Sequence, residues 1–276
     1  MTTEGTRPVA GLSEVADGVY VYTITGFIMV NTGIIVGDDA VAVVDTGTTE
    51  SDARALLNAV ASVTDKPVRY VINTHYHGDH SFGNWWFLPA ITIGHERCRL
   101  KLVGDEGASH RDTMASHMPM IREQVQAVPV TPPSLTFQNF VDLHLGNIDL
   151  KLAYLGRAHT DNDIAIGVEG ADLAFAGDLV EQSGPPITGE AFPNDWGPTL
   201  RKLGAAMVDR YVPGHGLIVD SMFVSEQASA FETLSRTCAG VETAAEAMEA
   251  MPDSVVEMLE TQTPSAVQRY FETVTD

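Results

Sequence analysis

The heptapeptide THYHGDH at residues 74–80 places four side chains that bind transition metals, His75, His77, Asp79 and His80, within six residues. Imidazole and carboxylate are borderline-to-hard donors suited to zinc, iron or manganese, and a loop carrying four of them can serve two neighbouring ions. Such a loop cannot close a site alone, so further ligands must come from elsewhere in the chain. Three candidates stand far downstream: His159 in LGRAHTDND, Asp178 in AFAGDLV and His215 in YVPGHG, each after an apolar run that reads as a strand. A buried strand fixes the backbone while the polar loop after it frees the side chain, which is how a rigid scaffold presents ligands. His95, His110, His117 and His144 lie outside any ligand spacing and read as ordinary histidines, with His110 and His117 near a segment that could face a substrate.

Apolar, β-branched runs predict strands at 18–24, 27–36, 40–44, 68–73 and 91–93, then again at 141–145, 148–155, 163–168, 173–176 and 210–212. Helices are expected at 51–63, capped by Ser51 with Ala53, Leu56, Leu57, Val60 and Val63 on one face, and at 112–125, 224–249 and 255–273. Two strand-rich halves with outer helices predict an α/β fold, a four-layer αββα sandwich of two mixed β-sheets covered by helices. No linker-like run divides the 276 residues, so a single domain over 1–276 with a helical cap at about 222–276 is expected. Segments 104–133 and 181–196 read as insertions at the rim of a pocket. The methionines of the first, Met114, Met118 and Met120, fit plain core packing equally well. Phe27, Met29, Trp86 and Trp196 are expected to form an apolar pocket wall.

The chain has 37 acidic against 16 basic residues and a net charge of −21, which repels phosphate backbones and anionic membranes. No nucleic-acid or membrane partner is therefore expected, and no apolar run approaches the roughly 18 residues of a membrane span. The start MTTEGTRPVAGL does not show the basic start followed by an apolar core of a leader, and the two cysteines, Cys98 and Cys238, are far apart and read as reduced. These features suggest a cytoplasmic protein acting on a small molecule. The acidic C-terminal helices would serve as a solvated cap or as the contact of a homo-oligomer.

The ordered set HxHxDH, then a separate His, Asp and His, resembles the metallo-β-lactamase superfamily of metal-dependent hydrolases, with a likeness that runs from about Val19 to Val219 and includes VVDTG at 43–47, HTDND and PGHG. The resemblance implies that one metal takes His75, His77 and His159, a second takes Asp79, His80 and His215, and Asp178 bridges them. Two zinc ions are expected, with iron or manganese possible on the same donors. Asp45 would orient a ligating histidine; a cap for the following helix is its alternative role. An aspartic protease would need a second Asp-Thr/Ser-Gly, which is absent.

The expected chemistry is hydrolysis of an ester, thioester, lactone or amide bond, a β-lactam included, by a metal-bridging hydroxide, with Asp79 as both ligand and catalytic proton acceptor. Two divalent ions less the charges of Asp79, Asp178 and hydroxide leave about one net positive charge, which favours an oxyanion. Departures from known branches narrow the choice. Asp178 stands where some β-lactamases carry cysteine, and Glu181 stands where those enzymes keep a lysine, so Glu181 is expected to repel a substrate carboxylate. The tyrosine of acyl-homoserine lactonases is lacking between Asp178 and His215 except for Tyr211, which belongs to a strand. The acidic tail disfavours the glutathione thioester of glyoxalase II. The alternative is a mononuclear iron persulfide dioxygenase of the same fold.

Overall fold

The computed structural model describes residues 11–205 and 208–274. Residues 1–10, where most of the leader reading falls, lie outside the described part.

The first sheet runs in chain order: β1 (Leu12–Ala16), β2 (Val19–Thr25), β3 (Met29–Val36), β4 (Val41–Val44), β5 (Val68–Ile72), β6 (Ile91–His95) and β7 (Leu135–Phe137). Its first four strands form an antiparallel meander and β4 to β7 are parallel, so the sheet is mixed. The second sheet contains β8 (Phe140–His144), β9 (Asp149–Tyr154), β10 (Ile164–Val168), β11 (Leu173–Gly177), β12 (Arg210–Pro213) and β13 (Val219–Asp220), in the order β13-β12-β11-β10-β9-β8. Only its β11–β12 pair is parallel.

Period-two alternation explains the layering. In β4, Ala42 and Val44 join Ile35, Ile72, Leu152, Ile166, Phe175 and Val212 between the two sheets, while Val41 and Val43 face the opposite way. That outer side is covered by α1 (Glu50–Val63), which buries Ala53, Leu56 and Val60 against Ile34 and Val71. A strand covered on both faces has no polar side, so it reads as an unbroken apolar run. Beyond the second sheet, Ala165, Ala174 and Tyr211 meet α2 (Pro193–Gly204), α3 (Ser221–Ala239) and the last helices, through Trp196, Leu200, Phe231 and Leu234. The result is helix, sheet, sheet, helix, the αββα arrangement expected.

Differences from the expected elements have local causes. The cap of α1 is Thr49, whose side chain accepts from Asp52 N–H while the Asp52 carboxylate accepts from Thr49 N–H, so Ser51 lies inside the helix. The expected helix 112–125 is two pieces, Gly104–His117 and Arg122–Gln126, because Pro119 lacks an N–H and disfavours helical geometry just before it. Met114 and Met118 of this segment pack on a small core of Tyr76, Phe82, Cys98, Leu102 and Val125, whereas Met120 is 82% exposed. Helix α3 stops at Gly240, short of the expected end. Both cysteines are free and buried, in separate cores. No helix among the described residues is long and apolar enough to cross a membrane.

Loops at the ends of β4, β5, β9, β11 and β12 gather at one edge of the sandwich. They are tied across the sheets: the Asn31 amide donates to the carbonyls of Pro213 and Gly216 at 2.9 and 2.8 Å, and its backbone N–H to Gly214 at 2.7 Å. On either side of the THYHGDH loop, Asn73 and Asn84 exchange side-chain bonds of 3.0 and 2.8 Å.

Candidate metal centre

The seven donors named from the sequence come together at this edge. His77 Nδ1 lies 3.0 Å from His75 Nε2 and 2.9 Å from His159 Nε2. One proton cannot satisfy three ring nitrogens that face a single point, but a cation can. The second group is Asp79, His80 and His215, with His215 Nε2 3.2 Å from Asp79 Oδ2 and 3.3 Å from His80 Nε2. Asp178 reaches both groups: Oδ2 lies 3.6 Å from His159 Nε2 and 3.5 Å from His215 Nε2, and Oδ1 lies 3.3 Å from His80 Nε2. Its buried Oδ1 has no hydrogen-bond partner of acceptable geometry, a costly state for a carboxylate oxygen that an ion would relieve. In each group the ligand atoms lie within 4.8 Å of one another, and the donor chemistry fits divalent transition ions.

Every histidine of the cluster has a partner behind it. Asp45 Oδ2 sits 2.8 Å from His80 Nδ1, and the same carboxylate accepts from Thr74 N–H and Oγ1–H at 2.8 Å each. Asp45 thus bonds to a ring of the cluster, and the helix cap belongs to Thr49. His215 Nδ1–H donates to the Met29 carbonyl at 2.5 Å, His159 Nδ1–H to that of Ile187 at 3.2 Å, and His75 Nδ1 adjoins Thr74 Oγ1 at 3.1 Å. Such partners fix the ring orientation and leave the inward nitrogen free to ligate. Glu190 lies 3.8 Å from His77 Nε2 and accepts the Tyr76 hydroxyl proton.

Glu181 corrects an expectation. Its carboxylate is 7% exposed and faces His159 Nδ1 at 3.2 Å, so it meets no substrate carboxylate. With Asp45 it places two further buried carboxylates beside the rings, which the charge count made from the sequence leaves out. Neither Glu181 nor Glu190 carried a spacing signal; only the fold brings them to the rings.

Charge balance among these side chains favours cations. Burial opposes ionisation of Asp178, but His80 and His215 outweigh it and hold the carboxyl well below the ordinary range; Asp79 follows for the same reasons. His159 resists burial through Glu181 and Asp178 and is raised to about 9, and His80 and His215 also move upward. His75 moves well down under burial and the charge of His80. The nearby His77 ring, with the Tyr76 hydroxyl, holds Glu190 at about 2.

His110, read as ordinary from sequence, stacks on His77 with centroids 5.9 Å apart, and its Nε2 is buried without a partner. Burial, with the neighbouring His77, lowers it to about 4 from 6.5. A depressed folded value means that the unfolded chain binds the extra proton, so this contribution is complete above pH 6.5 and is lost as pH falls toward 4. In metal-free protein, His110→Phe should remove on the order of 2 kcal/mol of acid destabilisation across that interval. Urea midpoints at pH 7 and 4.5 measure it, and equal slopes for variant and parent would contradict it.

The four expected pocket residues separate. Phe27 and Met29, 51% and 49% exposed, sit on the β2–β3 turn, and Met29 abuts the cluster through His215. Trp86 instead lines a cleft of about 570 Å³ with Thr49, Arg54 and Glu123, away from the seven donors. Trp196 is 0% exposed, stacked on Phe231 at 4.3 Å, because the C-terminal helices cover it; it is core, not wall. Ile187, 51% exposed beside His159, is an apolar rim residue that the sequence reading did not single out.

The family model of the Metallo-beta-lactamase superfamily matches residues 25–215. The chain is 25% identical over 216 residues to a metallo-beta-lactamase type 2 of Bacteroides fragilis, covering 74% of this chain and 78% of that protein. A metallo-beta-lactamase type 2 of Bacillus cereus is 21% identical over 219 residues, covering 76% and 77%. Among solved structures, a metallo-beta-lactamase from Pontibacter korlensis superposes with a TM-score of 0.65 at 17% identity, over 80% of this chain and 98% of that one. The DIM-1 metallo-beta-lactamase gives 0.62 at 18% identity, over 83% and 99%. With the profile match spanning most of the chain and the His/Asp cluster lying inside it, the chain belongs to the metallo-beta-lactamase superfamily.

Proposed function

We propose that the protein is a dinuclear metal-dependent hydrolase that cleaves an ester, thioester, lactone or amide bond, β-lactams included, in a small molecule. One observation carries this reading: two complete donor groups converge with Asp178 between them. His75, His77 and His159 would hold one ion, Asp79, His80 and His215 the other, and Asp178 both; zinc suits this donor set. Bound divalent ions supply Lewis acidity toward a carbonyl and make water a nucleophile near neutral pH.

The protein supplies the rest. Asp79, with Oδ2 turned to His215, accepts a proton from the attacking water and delivers it to the leaving group. Asp45 and the carbonyls of Met29 and Ile187 hold the rings so that the inward nitrogens keep their direction. Met29 and Ile187 also present exposed side chains on either side of the cluster, which suits a substrate with an apolar group next to the scissile carbonyl.

The test is a panel of chromogenic lactams, lactones, esters and thioesters on zinc-replete protein. Hydrolysis of at least one class is expected, abolished by chelation and restored by zinc. Protein carrying one iron per chain, inert to the panel but consuming oxygen with a persulfide, would replace this reading with the dioxygenase.

A further inference from the structure

We propose that Glu181 is a positioning residue for the first ion's ligand group: its carboxylate holds the outer nitrogen of His159 and, through Ile187, ties the 182–188 loop to the same ring. The inference rests on reading the seven donors as a metal centre.

Glu181 and Asp178 leave the same turn after β11 and approach His159 from opposite sides. Asp178 Oδ2 lies 3.6 Å from the inward Nε2, and Glu181 Oε1 lies 3.2 Å from the outward Nδ1. The same Glu181 oxygen accepts the Ile187 N–H at 3.0 Å, and the Ile187 carbonyl accepts from His159 Nδ1–H at 3.2 Å. The Nδ1 proton goes to the Ile187 carbonyl while the Glu181 carboxylate lies against the same nitrogen and holds that peptide by its N–H, so the pair together sets the tautomer and makes Nε2 a better donor.

Glu181 is itself held. Its backbone N–H donates to Gln227 Oε1 at 3.3 Å, and the Gln227 amide donates to the Leu179 carbonyl at 3.2 Å, which also receives the Trp196 indole N–H at 2.9 Å. The side chain is nearly buried, and its oxygen meets the His159 ring and the Ile187 N–H. Asp45 does for His80 in the second group what Glu181 does for His159 in the first, so each group has one buried carboxylate behind one of its histidines. The neighbouring Gln182 extends the pattern: its Oε1 accepts the Leu217 N–H at 2.6 Å, two residues past His215. Two adjacent residues on the Asp178 loop therefore reach the other two ligand loops of the second sheet, those of His159 and His215.

The experiment is a zinc titration against a chromophoric chelator on the full chain, comparing parent with Glu181→Gln, which keeps the side-chain shape and an acceptor for Ile187 but removes the charge. The parent should take up two zinc ions. The variant should bind one of them about 10–100-fold more weakly and the other unchanged, and its cobalt(II) visible spectrum should move. If the variant does not fold, nitrogen-15 histidine spectra of the zinc-loaded parent decide, with His159 expected to carry a slowly exchanging proton on Nδ1. A variant with two parent-like zinc affinities and an unmoved cobalt spectrum, or a His159 without a proton on Nδ1, overturns the role of Glu181 and leaves the metal centre standing. A parent that takes up no zinc overturns the metal centre itself.

Discussion

Asp79→Asn is expected to lower kcat/KM for any substrate of this protein by about 10²–10⁴-fold, the range of a lost general acid–base group. Asparagine keeps the shape of aspartate and an oxygen toward His215, the atom that lies 3.2 Å from Nε2, so both donor groups can still close. What it loses is the ability to accept a proton from water and pass it on. Asp79→Ala removes ligand and proton acceptor together and should abolish turnover, with loss of metal as well. Kinetics read alongside elemental analysis separate the two roles. An asparagine variant that holds its ions and turns over near the parental rate would remove Asp79 from the mechanism.

The second large effect is on stability. Trp196→Ala should destabilise the fold by about 3–5 kcal/mol, the cost of deleting a large ring from a packed core. The indole is stacked on Phe231 at an interplanar angle of 16°, its N–H is satisfied by Leu179, and its ring centre is 5.8 Å from that of His159. Urea denaturation provides the measurement. A residue of the substrate wall would show the reverse, a raised KM with stability changed by less than about 1 kcal/mol, and that outcome would return Trp196 to the pocket.

These two residues mark what the sequence could and could not reveal. Asp79 was legible because metal chemistry demands a few residue types at fixed spacing, and THYHGDH leaves little else for them to do. The doubly covered strands were legible too, since β4 has no polar side to interrupt Val41–Val44. Trp196 was misread because its burial depends on Phe231, which is distant in sequence and belongs to another helix. Glu181 and Glu190 are ordinary acids until loops from the second sheet bring them to His159 and His77. β1, β7 and β13 were missed: β7 and β13 have three and two residues, too few for a period to show. The break at Pro119 is written in the sequence, against an apolar stripe that continues on both sides of it.

The clasp made by Asn31 has a consequence for the order of events as the chain folds. It joins β3 to the loop of His215 across 182 and 185 residues of intervening sequence, so the enclosed loop is among the longest this chain can close. Contacts of such separation form late, after local hairpins and helices have shortened the path between their ends. Any cation the cluster accepts thus finds its last ligand only when the two halves have already mated, and it acts as a latecomer that seals a finished architecture, not as the seed around which it grows.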